Sequence, residues 1–352
     1  MADTMTRMGT QIKLQVTDMH TGAEAVRIVT GGYPELQGDS ILERRRDAQQ
    51  NHDHLRRLLM REPRGHAEMY GVIPTAACDP SADLGVLFIH NGGYSSMCGH
   101  ATIALGRFVV DQGIVDPMEG ETHFMLECPC GLVEVRAEVK GGKAGNVSFE
   151  SVAGYLHDHN LEIETGRSGR LAVDIAYGGA YYAIISAGQL GLELRKAHLS
   201  ELKARAMDIT NTLRNSHSIS HPDEPELGFV YGTIITEDNR VSTHGINHHL
   251  CFFAEGQLDR SPTGSGVTAR LASGYVKGEL EMGQAAKFAG ISGAAFEGRL
   301  SRVGKFADYK AAHTVVSGRS YYCGQSELIL EADDSMRDGF LDPETPGDIW
   351  KN

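Results

Sequence analysis

The stretch SSMCGHATIALGRFVVDQG, Ser95 to Gly113, decides the fold, because QLDRSPTGSGVTARLASGYVKG, Gln257 to Gly278, is built to the same plan. In the first, Cys98 stands before Gly99, an apolar run follows, and Gly113 ends it. In the second, Thr263 stands before Gly264 and Gly278 ends the run. Apex and closing glycine are 15 residues apart in both, and the two apices are 165 residues apart, near half the chain. Ala101, Ala104, Leu105, Phe108 and Val109 recur at helical spacing, as do Thr268, Leu271, Ala272, Tyr275 and Val276. Each stretch predicts a turn feeding the N-terminus of a buried helix. Two related lobes, each with one such helix, would set two helix N-termini across a shared cleft. Unpaired N–H groups and the positive end of each helix there suit a carboxylate or phosphate. Gly99 and Gly264 let a ligand approach the backbone. Two ordinary helix starts are the plainer reading, and the matched spacing argues against it.

The chain has 352 residues, so two lobes are the default expectation. With 41% hydrophobic and 22% charged residues, the composition is that of a soluble globular protein. A net charge of −13 disfavours nucleic acid and anionic membranes as partners. The start, MADTMTRMGTQIKLQV, lacks the apolar core of a secretory signal, and six cysteines in so long a chain do not make a disulfide scaffold. The expectation is a cytoplasmic protein with reduced thiols.

Short strands are expected at IKLQVTDMH, AVRIVTGG, ADLGVLFIH, HFMLECPCGLVEVRAEV, GRLAVDIAY, YYAIISAG, GFVYGTIIT and LCFFAEG. One exposed helix is expected over Ser40–Glu62, stopped by Pro63, and another over Leu199–Asn215 with Ser200 as N-cap. Many strands and few helices imply an α/β (α+β) protein. The first lobe is expected over residues 1–165, with 338–352 returning to it, and the second over 166–337.

A cysteine at a helix N-terminus is expected to have a lowered pKa and to act as nucleophile or base. Thr263 cannot replace a thiolate as base, but it can donate and accept a hydrogen bond. Cys78, Cys251 and Cys323 read as inert buried thiols, and Cys128-Pro129-Cys130 as structural rather than redox-active. His52 and His54 point to different faces of a helix, and His244, His248 and His249 fall in a loop-like stretch without a partner carboxylate. Neither group predicts a metal site. Glu43–Arg46 reads as a solvated helix face.

MCGHATIALGRF (Met97–Phe108), DRSPTGSG (Asp259–Gly266) and REPRGHAEMYG (Arg61–Gly71) together resemble the proline racemase family, which includes 4-hydroxyproline epimerases and trans-3-hydroxy-L-proline dehydratases. The resemblance runs from IVTGGYPELQGDSILERRR to DDSMRDGFLD, through DIAYGGAYYAI and ISGAAFEGRL. It implies a two-lobed diaminopimelate epimerase-like fold, each lobe a curved, mostly antiparallel sheet around a central helix. It implies that no metal or organic cofactor is needed. In the racemases and epimerases of this family both apices are cysteine, one thiolate taking the Cα proton and the other thiol returning a proton on the opposite face. The Cys98/Thr263 pair instead resembles the dehydratase branch. Stereochemistry gives an independent reason. In trans-3-hydroxy-L-proline the Cα hydrogen lies on the same ring face as the leaving hydroxyl. One base serves that face, and a non-basic residue opposite suppresses racemisation.

By the same resemblance, Gly99, His100, Gly264 and Ser265 hold the substrate carboxylate and Asp259 pairs with the ring ammonium. His100 also faces the ring nitrogen or orients Cys98. Read from the sequence alone, Asp259 is equally a turn-former before Ser261 and Pro262. The expected activity is dehydration of a small-molecule hydroxyproline. Proline racemase or 4-hydroxyproline epimerase, and a non-catalytic imino-acid-binding protein, are the alternatives. A homodimer is compatible with the sequence, which does not fix it.

Overall fold

The structure, a computed structural model, describes residues 11–340. In chain order the elements begin β1 (Ile12–Thr21), β2 (Glu24–Gly31), α1 (Ile41–Asn51), α2 (Asp53–Met60), β3 (Tyr70–Thr75), β4 (Leu84–His90), β5 (Gly93–Ser95) and α3 (Gly99–Asp111). There follow β6 (Gly120–Cys128), β7 (Gly131–Lys140), β8 (Lys143–Glu150), β9 (Gly154–Thr165), β10 (Gly169–Tyr177), β11 (Tyr181–Ser186) and α4 (Leu199–Ser216). The chain continues through β12 (Val230–Thr236), β13 (Ile246–Phe253), β14 (Gln257–Asp259), α5 (Gly264–Val276), β15 (Ala285–Ala289), β16 (Ala295–Phe306), β17 (Tyr309–Gly318) and β18 (Ser320–Leu330). The strands pair mostly antiparallel, with β2–β3, β4–β6, β11–β12 and β13–β15 parallel.

The two repeated stretches form α3 and α5, both 13 residues long. α3 packs on β1, β2, β7, β8 and β18, and α5 on β9, β10, β16 and β17. Each is apolar around its circumference and buried along nearly its whole length, as a helix wrapped by sheet must be. A Cβ at Gly106 would lie 2.8 Å from Val147 and 2.9 Å from Val135, so α3 can settle this close to β7 and β8 only because that side chain is missing.

Both helices also end alike. Gly113, at φ 66°, donates to Val110 O while Ile114 donates to Val109 O. Gly278, at φ 75°, donates to Tyr275 O while Glu279 donates to Gly274 O. This is the Schellman arrangement, in which a left-handed glycine closes the last carbonyls. The repeat read in the sequence is thus a repeat of whole helices with their caps.

Some local expectations are corrected. The helix expected over Ser40–Glu62 is two helices that break at His52, and α2 is amphipathic rather than exposed, since Leu55, Leu58, Leu59 and Met60 are buried. α4 starts at Leu199 with His198 as its N-cap residue, so Ser200 lies inside the helix. His248 and His249 lie on β13, not in a loop. Cys323 is exposed and Cys78 half-buried, so only Cys251 of those three is a buried thiol.

The C-terminal part of the chain comes back to the N-terminal part. β18 pairs along its length with β1, from Ile12 opposite Leu330 to Thr21 opposite Ser320. Phe340 bridges to Glu62. Most of the expected returning segment, residues 341–352, lies outside the described residues.

Candidate active site

α3 and α5 meet at their first residues. A Cβ on Gly99 would lie 2.5 Å from Gly264 Cα, and one on Gly264 would lie 2.7 Å from Gly99 Cα. Only glycine at both positions lets the two backbones come this close. Cys98 and Thr263 are the N-cap residues, and neither side chain makes a close capping hydrogen bond to its helix. The side chains at both apices are therefore left for other partners.

Cys98 is 6% exposed. Its Sγ lies 3.0 Å from His100 Nδ1. Burial pushes the thiol well above its ordinary pKa, the Ala101 N–H works the other way, and the Asp259 charge adds to the rise. The expected lowering at a helix N-terminus is reversed here, because desolvation outweighs the helix field. His100, equally enclosed, is pushed down to about 3 by burial and is neutral. Its ring lies edge-on to Tyr70, 4.8 Å between centroids, and Tyr70 bonds to the Ser95 hydroxyl.

Thr263 has φ 55° and ψ 85°, a left-handed conformation costly for a β-branched residue. The turn is fixed from three sides. The Ser261 amide donates to Asp259 Oδ1 at 2.8 Å, and the Thr263 amide donates to Ser261 Oγ at 3.2 Å. His249 Nε2 donates to the Pro262 carbonyl at 2.6 Å. Buried Arg270 stands 3.4 Å from His249 Nδ1 and donates to the carbonyls of Asp238 and Arg240. The turn thus held buries Thr263 Oγ1 beside the Asp259 carboxyl and the Cys251 thiol. Ser265 Oγ bonds to Tyr182 Oη at 2.7 Å.

Charge at the site is unbalanced. Glu24, on β2, accepts from the Arg260 amide at 2.8 Å and from its Nε at 2.7 Å. Burial and the nearby Asp259 push Glu24 up to about 8, against the pull of Arg260. Burial pushes Asp259 up to about 6, against the Ser261 hydrogen bond. Two enclosed carboxyls thus share one guanidinium: Glu24 keeps its proton at neutral pH, and Asp259 is the one a further cation would relieve.

All seven residues singled out in the sequence lie where α3 and α5 meet or on the turn into α5. Sequence reasoning missed Glu24, Tyr70, Tyr182, His249 and Arg270. Tyr70 and Tyr182 lie within REPRGHAEMYG and DIAYGGAYYAI, stretches that carried the family resemblance but gave these residues no role. No local pattern points to Glu24, which reaches Arg260 across 236 residues.

Paired buried helices that meet at their N-termini within a strand-rich α/β fold define the class, the two-lobed diaminopimelate epimerase-like architecture. The chain belongs to the proline racemase family, whose model matches residues 16–341. It is 46% identical over 333 residues to human trans-3-hydroxy-L-proline dehydratase, covering 93% of this chain and 94% of that one. It is 43% identical to the trans-L-3-hydroxyproline dehydratase of Xenopus tropicalis, covering 93% and 95%. A hydroxyproline epimerase from Agrobacterium vitis, solved with bound trans-4-hydroxy-L-proline, superposes with a TM-score of 0.89 at 25% identity, covering 95% of this chain and 96% of that one. Among the described residues, no helix is long and apolar enough to cross a membrane.

Proposed function

We propose that this chain dehydrates trans-3-hydroxy-L-proline to Δ1-pyrroline-2-carboxylate. The observation that carries the reading is the pair of apices: a thiol and a hydroxyl at the tips of two helices joined at Gly99 and Gly264. The substrate carboxylate sits between the helix N-termini, on the amides of Gly99, His100, Gly264 and Ser265, where the helix ends favour an anion. The ring ammonium sits by Asp259 and supplies the missing positive charge. As it arrives, it offsets the Asp259 charge that helps keep Cys98 protonated, and the thiol releases its proton to solvent to leave a thiolate.

Cys98 Sγ then takes the Cα proton. The electron pair of that bond moves into the carboxylate, whose added charge the helix N–H groups stabilise. It next forms the Cα–C3 double bond as the C3–O bond breaks. The oxygen leaves with the proton from Sγ as water. The cyclic enamine that remains tautomerises to the Δ1-imine. Thr263 Oγ1 faces the other side of the ring and returns no proton there. His100 orients Cys98.

We further propose that the lobes divide near Ser151 rather than at 165. β9 runs antiparallel to β10 along its length and packs on α5, which supports grouping it with the second lobe. β18 and the segment to Phe340 belong with the first. A cytoplasmic location accords with the composition.

The test is incubation with trans-3-hydroxy-L-proline and o-aminobenzaldehyde, which traps pyrroline carboxylate. We expect product from the wild type and at least about a hundredfold less from Cys98→Ser. Racemisation of L-proline or epimerisation of trans-4-hydroxy-L-proline without dehydration would replace this reading with the two-base one. Binding of proline with no turnover would make the chain a binding protein.

A further inference from the structure

Away from α3 and α5, three side chains among the described residues converge as metal ligands do. His157 and Asp158 are neighbours on β9, and His217 follows the last residue of α4. His157 Nδ1 lies 2.6 Å from Asp158 Oδ2, and His217 Nε2 lies 3.0 Å from the same oxygen. All three donor atoms fall within 4.8 Å of one another.

The local backbone explains how sequence neighbours come to share a target. Consecutive residues of a regular strand point to opposite faces. The pairing of β9 with β10 slips twice, between Val173 and Ile175 and between Ile175 and Ala176. Each slip leaves one extra residue in β9, and one of the residues passed over, Asn160, has φ 52°. Such bulges re-aim side chains. Here His157 and Asp158 come to bear on one point.

The ligands are also braced. The His157 ring stacks on Tyr309, 5.5 Å between centroids and 26° between planes, and meets Tyr181 edge-on. Tyr181 is tied in turn to the Tyr155 hydroxyl at 2.5 Å. A ring held this way is oriented before any ligand arrives. The C-terminal end of α4, beside His217, carries partial negative charge and favours a cation.

We propose that His157 Nδ1, Asp158 Oδ2 and His217 Nε2 form a site for a divalent transition metal, with zinc the representative ion. Two imidazoles and one carboxylate suit zinc, nickel or copper; magnesium and calcium take oxygen ligands. Tetrahedral ligands about 2.0–2.2 Å from an ion stand about 3.3–3.5 Å apart. The donor pairs at 2.6 and 3.0 Å therefore need to part by less than about 1 Å. The side chains of His157, Asp158 and His217 are 13%, 27% and 26% exposed, so an ion can reach them and water can complete its shell. Neither Cys98 nor Thr263 supplies a ligand. The ion ties β9 to the end of α4, so its role is to brace the second lobe.

The test is titration of chelator-stripped protein with zinc chloride by calorimetry, beside His157→Gln, Asp158→Asn and His217→Gln. These substitutions keep hydrogen-bonding capacity while removing a ligand. We expect one ion per chain, at least about tenfold weaker binding in each variant, and a rise of about 3–5 °C in Tm with excess zinc that the variants lose. Cobalt in place of zinc should give a visible band in the wild type that is absent from all three variants. No saturable binding below about 100 μM zinc, or equal binding in wild type and variants, would overturn the proposal.

Discussion

Thr263 is held in a left-handed conformation by the Asp259–Ser261–Pro262 turn and its His249 clamp, with its hydroxyl buried. The site fixes where this side chain points more firmly than it fixes what the side chain is. A cysteine in the same place would present a thiol to the ring face opposite Cys98. Thr263→Cys is therefore expected to raise L-proline racemisation by at least about a hundredfold over the wild type, read by optical rotation. Loss of Cα hydrogen in deuterated water should then report exchange on both faces. A folded Thr263→Cys variant with no exchange on the second face would mean that Thr263 does not face the ring. The chemical identities of Cys98 and Thr263 were legible in the sequence. The ionisation of Cys98 was not, because helix position argues one way and burial the other, and burial is a tertiary fact.

Between elements, the close meeting of α3 and α5 at Gly99 and Gly264 sets the distance across the site. In Gly99→Ala the new Cβ would meet the Gly264 backbone, which cannot rotate away as a side chain can. The helix N-termini must part, so overpacking should cost about 1–3 kcal/mol of stability in urea unfolding. A shift of about 1 Å between apices should cost about a hundredfold in kcat/KM. Wild-type turnover in this variant would show that the contact does not position the chemistry. The two helices were legible because buried helices need apolar residues all round and a glycine at each end. The break at His52 and the true start of α4 were not, since several residues can serve as caps and packing chooses among them. His248 and His249 read as loop residues because polar side chains obscured a strand. In the structure His249 is buried against Pro262 and Arg270.

Across the whole molecule, Glu24 and Arg260 join β2 to the turn that enters α5. Glu24 sits at about 8 in the fold against an ordinary 4.5. The folded chain therefore holds a proton that the unfolded chain releases. The stabilisation from this group is complete below about pH 4.5 and is lost as pH rises through about 8. The urea midpoint of the wild type should fall over that range, and Glu24→Gln should flatten the fall. An unchanged slope in the variant would place the titration elsewhere. This hydrogen-bonded contact, like the pairing of β18 with β1, was invisible in the sequence, because nothing local marks residues hundreds of positions apart as neighbours. The fold class itself was legible, since it rests on strand content and the repeat.

The return of β18 to β1 has a mechanical consequence. On the proposed division near Ser151, the chain leaves the first lobe after β8 and re-enters it near Thr314 within β17, which passes from pairing with β9 to pairing with β8. The Ser151 amide donates to the Thr314 carbonyl at 2.9 Å, and Val315 stands opposite Glu150. Two covalent crossings this close act like paired hinges on a door: they permit a swing about the line through them and resist sliding or twisting. Any gape that admits substrate would then open along one arc and return Cys98 and Thr263 to the same facing positions at each closure.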